Sequence, residues 1–195
     1  EIHRRPLESH RHGIFLQGSD YVNVTNNIAT FNGYGISLAS SHYTRILFNN
    51  ASSNTDGITL SGSDYAYIFR NHASKNFRMG IHLSGSRYNE IIENVAERNK
   101  YGVYLEYSSS FNQIINNLVG FNNFGISLMW SSNGNNVTDN QVSLCIDYGA
   151  YLFRVYDNVV NHNDFSSSGS VGIYLERCEN NQITNNNASL AVNYG

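Results

Sequence analysis

Residues 80–99 read GIHLSGSRYNEIIENVAERN. Ile81 and Leu83 lie two residues apart, and this spacing predicts a strand that buries one face. A second β-rich stretch contains Ile91, and a third short segment contains Ala96. Gly and Asn separate the three stretches, as expected for tight turns. The segment therefore predicts one turn of a solenoid built from three short strands.

The same pattern recurs along the whole chain with a spacing of 22 to 24 residues. Repeats of this length indicate stacked coils, each of which buries its apolar face against its neighbours. The residue after each glycine is aliphatic, and leucine follows two residues later in every repeat. The glycines of the pattern are Gly13, Gly35, Gly57, Gly80, Gly102, Gly125, Gly149 and Gly172.

Asparagine recurs fourteen residues after each of these glycines, with one aspartate in the series. Coils in a stacked solenoid lie about 4.8 Å apart, so equivalent asparagines are predicted to pass amide hydrogen bonds along a ladder. The predicted ladder consists of Asn27, Asn49, Asn71, Asn94, Asn116, Asp139, Asn163 and Asn186.

These columns predict an all-β fold, a right-handed parallel β-helix (a pectin-lyase-like solenoid) with about eight coils of 22–24 residues. A leucine-rich repeat is the alternative, but its helical or turn-rich return is not matched by the β-formers at 21–25. Residues 1–12 are assigned to an N-terminal segment or partial upstream coil, and residues 13–195 to the repeats. Because Gly195 begins another repeat and no cap follows, further coils or domains are expected at either end.

The composition excludes several function classes. Charged residues make up 14% of the chain, the net charge is −3 and no basic run occurs, so nucleic acid is not an expected partner. No apolar stretch is long enough for a membrane span. Cys145 and Cys178 fall at different points of the coil, so no disulfide is expected. The histidines are scattered, and neither a metal nor another cofactor is predicted.

The motif Gly-Ile-x-Leu-x-x-Ser, followed by an Asn-centred strand and a second turn asparagine, resembles the NosD-like and CASH-type β-helix repeats. Residues 80–99 and 172–187 show it most clearly. Relatives in this group include mannuronan C5-epimerases, polysaccharide lyases and surface proteins, all outside the cytoplasm. The resemblance therefore implies an extracellular, cell-surface or periplasmic location. The Asp-Pro-His motif of the epimerases is absent from all eight coils.

Strand alternation places one strip of residues on the outer face of the later coils. Aromatic rings stack on sugar rings, and carboxylate and guanidinium groups bind sugar hydroxyls and carboxylates, so the strip predicts contact with a polysaccharide. Arg154 and Arg177 are candidates to bind a uronic carboxylate. The predicted substrate-binding residues are Tyr107, Trp130, Tyr151, Phe153, Arg154, Tyr174, Glu176 and Arg177, with Met129 beside them.

His82, Tyr104 and Glu106 are the candidate catalytic residues, as base, acid and orienting carboxylate for removal of a sugar C5 proton. Glu106 and Glu176 are three coils apart, about 14 Å, which is too far for a hydrolase pair. Two hypotheses remain open. One is an extracellular polysaccharide-binding β-helix with epimerase or lyase activity of the mannuronan C5-epimerase type. The alternative is a non-catalytic, NosD-like surface or scaffold module in which His82 and Tyr104 form a simple surface stack.

Overall fold

The computed structural model describes residues 11–190. Most of the segment assigned to residues 1–12 therefore lies outside the described residues. Sixteen strands alternate in length between six and three residues. They are β1 (His12–Gln17), β2 (Asn23–Thr25), β3 (Tyr34–Ala39), β4 (Arg45–Leu47), β5 (Asp56–Ser61), β6 (Tyr67–Phe69), β7 (Met79–Ser84), β8 (Glu90–Ile92), β9 (Tyr101–Glu106), β10 (Gln113–Ile115), β11 (Phe124–Met129), β12 (Asn136–Thr138), β13 (Tyr148–Phe153), β14 (Val159–Asn161), β15 (Val171–Glu176) and β16 (Gln182–Thr184).

The odd-numbered strands form one eight-stranded parallel sheet, here called sheet A, and the even-numbered strands form a second, sheet B. Neighbouring strands are equivalent segments of successive coils: Ile58 pairs with Ile81, and Leu60 pairs with Leu83. The predicted third strand is reduced to one isolated bridge per coil, such as His72 with Val95. The predicted parallel β-helix of about eight coils is thus confirmed.

Residues 11–190 contain no helix, so the leucine-rich repeat is excluded. No segment of this described part of the chain is a helix of the length and apolarity that a membrane span requires.

The core is made of the aliphatic columns that the repeat predicts. Ile81, Leu83, Ile91 and Ala96 of one coil are all fully buried. Leu105, Leu128 and Leu152 of later coils are buried in the same column. Because each residue lies on its equivalent in the next coil, the core is continuous along the helix axis.

The repeated glycine is required by close packing and not by backbone conformation. A Cβ atom on Gly57 would lie 2.5 Å from the Gly80 carbonyl oxygen and 2.7 Å from Asn76 Nδ2. These distances are too short for any side chain. The repeated glycine therefore lies where the beginning of each sheet A strand packs closely against the next coil and a turn asparagine.

The main asparagine ladder differs from the prediction at two positions. The Asn94 backbone N–H donates to Asn117 Oδ1 at 2.9 Å, and Asn117 Nδ2 donates to Asn140 Oδ1. The ladder thus passes through Asn117 and Asn140, and the predicted members Asn116 and Asp139 were wrong. An extra residue in the corner after β9 and after β11 shifts the register by one, giving two consecutive left-handed residues in each corner. A second ladder, which the sequence analysis did not predict, consists of Asn89, Asn112, Asn135, Asn158 and Asn181.

Candidate functional site

The outer face of sheet A is lined by small side chains in its first half. Across β3, β5 and β7, the outward residues are Ser37, Ala39, Thr59, Ser61 and Ser84, and the concavity above them, here called the trough, has a volume of about 440 Å³. Tyr34, Asp56 and Arg78 line one side of the trough, and His82 lies at its inner end.

The second half of the same face is covered by aromatic rings with centroids 4.7 to 6.2 Å apart. Residues one position before the repeated glycine stack on one another, as Tyr101 does on Phe124. They also stack on residues two positions after the glycine, as Tyr148 does on Tyr174. This surface is here called the aromatic platform. It consists of Tyr101, Tyr104, Phe124, Trp130, Tyr148, Tyr151, Phe153 and Tyr174.

The corner that follows each sheet A strand has a left-handed backbone in every coil, and its occupants change halfway along the chain. The first four coils have Gly18, Ser40, Gly62 and Gly85 there, which suits positive φ. The last four have Tyr107, Trp130, Arg154 and Arg177 at φ of 51 to 55°. Bulky residues at positive φ also occupy other corners, such as Tyr43 and Tyr65, so what distinguishes these four corners is their position beside the aromatic platform.

The three candidate catalytic residues meet where the trough joins the platform. Glu106 Oε1 lies 3.1 Å from His82 Nε2, and the Tyr104 hydroxyl donates to Glu106 Oε2 at 2.8 Å. The His82 and Tyr104 rings also stack, with centroids 5.4 Å apart. Parallel pairing creates this cluster because it sets His82 beside Tyr104 and Ser84 beside Glu106.

The hydrogen bonds assign a protonation state to two members of the cluster. Burial alone would raise the pKa of Glu106, but the hydrogen bonds from His82 and Tyr104 outweigh it and lower that pKa below its ordinary value of 4.5. Burial, together with the bond to Glu106, raises the pKa of Tyr104 far above that of a free tyrosine. Glu106 is therefore a carboxylate and Tyr104 a neutral hydrogen-bond donor.

The lowered pKa of Glu106 predicts an acid-dependent loss of stability. The folded state favours the carboxylate, so its stabilisation is present above the unfolded-state pKa and is lost as the pH falls through the folded-state pKa. The free energy of unfolding of the wild type is expected to fall relative to that of Glu106→Gln below pH 4.5. Urea unfolding at a series of pH values measures this difference, and a gap that stays constant into acid contradicts it.

The other predicted residues form two further contacts. The Arg154 guanidinium lies 5.1 Å from the ring centroids of both Trp130 and Phe153, and these two rings meet edge to face. The ring centroids of Tyr151 and Tyr174 lie 5.6 Å apart.

Four side chains are less engaged or differently placed. Arg177 Nε lies 3.9 Å from Glu176 Oε1; the Arg177 side chain is largely exposed, and that of Glu176 is partly buried. Tyr107 is exposed at its corner, whereas Tyr104, predicted to be exposed, is buried beneath its neighbours.

The residues that the sequence analysis missed lie one position before the glycine. Tyr34 and Asp56 line the trough, and Tyr101, Phe124 and Tyr148 belong to the platform. Regular alternation would turn this position inward with the isoleucine two residues later, but the buried glycine interrupts the alternation. The signal was present in the sequence as a column of large residues before the repeated glycine.

Metal donors are sparse in the described part of the chain. No group of three or more His, Cys, Asp and Glu side chains lies within reach of a shared ion among residues 11–190. Cys145 is buried, which raises the pKa of its thiol to about 12. Cys178 is also free, and its thiol donates to the Leu152 carbonyl oxygen at 3.4 Å.

Several solved structures share this fold. A point mutant of the periplasmic alginate epimerase AlgG superposes with a TM-score of 0.82 at 22% identity, covering 90% of this chain and 47% of that one. DFA-IIIase from Arthrobacter chlorophenolicus A6, without its lid, superposes with a TM-score of 0.76 at 15% identity, covering 94% of this chain and 55% of that one. The A-module of an Azotobacter vinelandii mannuronan C-5 epimerase superposes with a TM-score of 0.71 at 15% identity, covering 89% of this chain and 56% of that one. The chain thus spans about half the length of these structures.

No curated protein matches the chain. A family model described as "Periplasmic copper-binding protein (NosD)" matches residues 1–124 and again residues 96–195, which together span the whole sequence. The chain therefore belongs to the NosD family.

Proposed function

We propose that this β-helix binds a polysaccharide along the outer face of sheet A, in the periplasm or outside the cell. The observation that carries the proposal is the clustering of eight aromatic rings on the outer face of the last four coils. The corners beside this platform have Tyr107, Trp130, Arg154 and Arg177, where three of the first four coils have glycine.

The platform has the chemistry of a sugar-binding surface. The outer parts of the aromatic rings can pack against the C–H groups of pyranose rings, and the tyrosine hydroxyls, Glu176 and Arg177 can bond to sugar hydroxyls. Successive coils repeat every 4.8 Å or so, comparable to one sugar unit, so a glycan can run along the helix axis. The solved structures that share the fold include two polysaccharide epimerases, which supports a polysaccharide as the ligand.

His82, Tyr104 and Glu106 supply an acid–base centre for an epimerase or lyase reaction. When the imidazole is neutral and Nε2–H donates to Glu106, Nδ1 keeps a lone pair that can accept the proton from the sugar C5 atom. A proton donated by water to the opposite face of C5 gives epimerisation, whereas loss of the glycosidic oxygen, protonated by water or by the His82 imidazolium, gives elimination. The Tyr104 hydroxyl remains protonated and donates to Glu106, which holds the carboxylate in place beside His82.

The copper in the family description does not fit the residues described here. Copper sites use clustered imidazole and sulfur ligands. His82 and Glu106 provide one nitrogen and one carboxylate already bonded to each other, and the Cys145 thiol stays protonated. No step of the proposed chemistry uses a metal. The second candidate function is the non-catalytic surface or scaffold module, and a family description that gives a binding role and no reaction supports it.

Binding is tested with glycine substitutions at two aromatic corners. Trp130→Gly removes a platform ring and restores the residue type that Gly85 has in an earlier coil. We expect affinity for the bound polymer to fall about tenfold, the effect of losing one stacked ring and its cation–π contact. Affinity electrophoresis in gels that contain alginate, pectin or a neutral glucan measures the loss.

Phe31→Gly is the matched control, because Phe31 is an exposed aromatic residue with φ of 61° at a different corner of the coil. It is expected to leave the mobility shift unchanged. Equal losses from both variants, or no retardation of the wild type in any gel, would count against the platform as a polysaccharide site.

A further inference from the structure

Asp56 is the exception in the column that precedes the repeated glycine. The equivalent positions in neighbouring coils are Tyr34, Met79, Tyr101 and Phe124. The Asp56 side chain is only 1% exposed. Since adjacent coils fill this column with apolar or aromatic groups, the fold does not require a carboxylate there, and burying one is costly unless it is paired.

Arg78 pairs with this buried carboxylate and extends into the trough. Its Nε donates to Asp56 Oδ1 at 3.1 Å, and its Nη2 donates to Asp56 Oδ2. The Arg78 side chain nevertheless remains 46% exposed and lines the trough. Two bonds to Asp56 thus hold the guanidinium plane in one orientation beside the open groove, with the Tyr34 hydroxyl as a further neighbour, a preorganised arrangement for an anion.

The surrounding charges favour an anionic ligand. Arg11 lines the same trough, and Asp56, neutralised by Arg78, is the sole carboxylate among the described residues that line it. The arginines predicted from sequence to bind a carboxylate are placed differently. Arg154 lies over Trp130 and Phe153, and Arg177 lies beside Glu176.

From this geometry we propose that Arg78, fixed by Asp56, forms a subsite for the carboxylate of an acidic sugar, so that the polymer bound by this face is a polyuronate. The inference rests on the proposed polysaccharide-binding face. Arg78 and His82 lie in the same coil, and Arg78 reaches back to Asp56 in the preceding coil. In a glycan that runs along the helix axis, the carboxylate at Arg78 is therefore assigned to the sugar beside the one at His82, and Arg78 positions the chain for that sugar.

The test measures the binding of polygalacturonate and of its fully methyl-esterified form. Both are compared between the wild type and a variant in which the Asp56–Arg78 pair carries no charge. Arg78→Gln alone would leave Asp56 buried and unpaired, so the main variant is Asp56→Asn combined with Arg78→Gln, which removes both charges. We expect the wild type to bind the acid polymer more tightly than the ester. The double variant is expected to lose about tenfold in affinity for the acid polymer, the effect of one charge-assisted contact, and to bind the ester as the wild type does.

Circular dichroism establishes that each variant is folded, and Arg78→Lys, which keeps the charge but not the two-point bond to Asp56, is expected to be intermediate. Equal losses for acid and ester, or an unchanged preference for the acid in the double variant, would overturn the subsite. A sulfated dextran that binds more tightly than polygalacturonate and depends on Arg78 would overturn the assignment to a carboxylate. Failure of the wild type to bind either form or any neutral glycan would instead refute the proposed binding face itself.

Discussion

Replacing Asn117 with alanine is expected to lower the free energy of unfolding by about 4 kcal/mol, because two buried backbone groups lose a partner at roughly 2 kcal/mol each. The Asn94 backbone N–H donates to Asn117 Oδ1 at 2.9 Å, and Asn117 Nδ2 donates to the Ile91 backbone carbonyl oxygen at 2.8 Å. The side chain also bonds to Asn140 in the next coil. Its loss therefore interrupts the ladder in the middle of the solenoid. Urea unfolding followed by circular dichroism measures the change.

The neighbouring asparagine provides a matched control. Asn116 is exposed in a corner with φ of 54°, so Asn116→Gly keeps the backbone conformation and breaks no ladder bond. We expect it to cost less than about 1 kcal/mol. Comparable losses for Asn116 and Asn117 would show that the ladder does not continue through Asn117.

The second large effect is expected at His82. If the face is catalytic, His82→Ala is expected to reduce turnover of the bound uronate polymer about a thousandfold, the usual contribution of a positioned general base. Polymer affinity is expected to change much less, because the aromatic platform remains. Proton NMR of the treated polymer detects both outcomes of the chemistry: C5 inversion, or an unsaturated chain end. Solvent deuterium at C5 identifies the proton that is exchanged.

Two variants separate chemistry from general disturbance of the surface. Glu106→Gln keeps the shape of the side chain but removes the charge that favours the Nε2–H tautomer, so a smaller loss than for His82→Ala is expected. His72→Ala alters an exposed histidine on the bridge side of the coil and is expected to have full activity. Unchanged turnover in His82→Ala would exclude this residue as the base. Binding by the wild type without any change in the polymer would support the scaffold function.

The fold was predictable because a solenoid repeats its constraints. Ile81 and Leu83 recur in register with the glycine in every coil, and each column is stabilised by the same contact with the next coil. The error at Asn116 and Asp139 has a local cause. The sequence contains consecutive asparagines at 116–117 and an Asp–Asn pair at 139–140, and counting from the glycine does not reveal an extra corner residue upstream.

The candidate site was only partly predictable, because it depends on which side chains touch across coils. Pairing between β7 and β9 followed from the repeat, so His82, Tyr104 and Glu106 were placed on one face. Three features did not follow from the sequence: the acceptance by Glu106 of bonds from both partners, the burial of Tyr104 and the pairing of Asp56 with Arg78.

For this protein, amino-acid order alone determined the coil length, the inward columns and the outward strip of aromatic residues. These depend on local alternation and on a spacing of 22 to 24 residues, which are properties of the sequence itself. Only the tertiary structure decided that the ladder passes through Asn117, that the column before the glycine faces outward and that Arg78 is held over the trough by Asp56. Each of these depends on contacts between coils and on corner geometry, where one added residue changes the distance in sequence from the glycine to every later position of the coil.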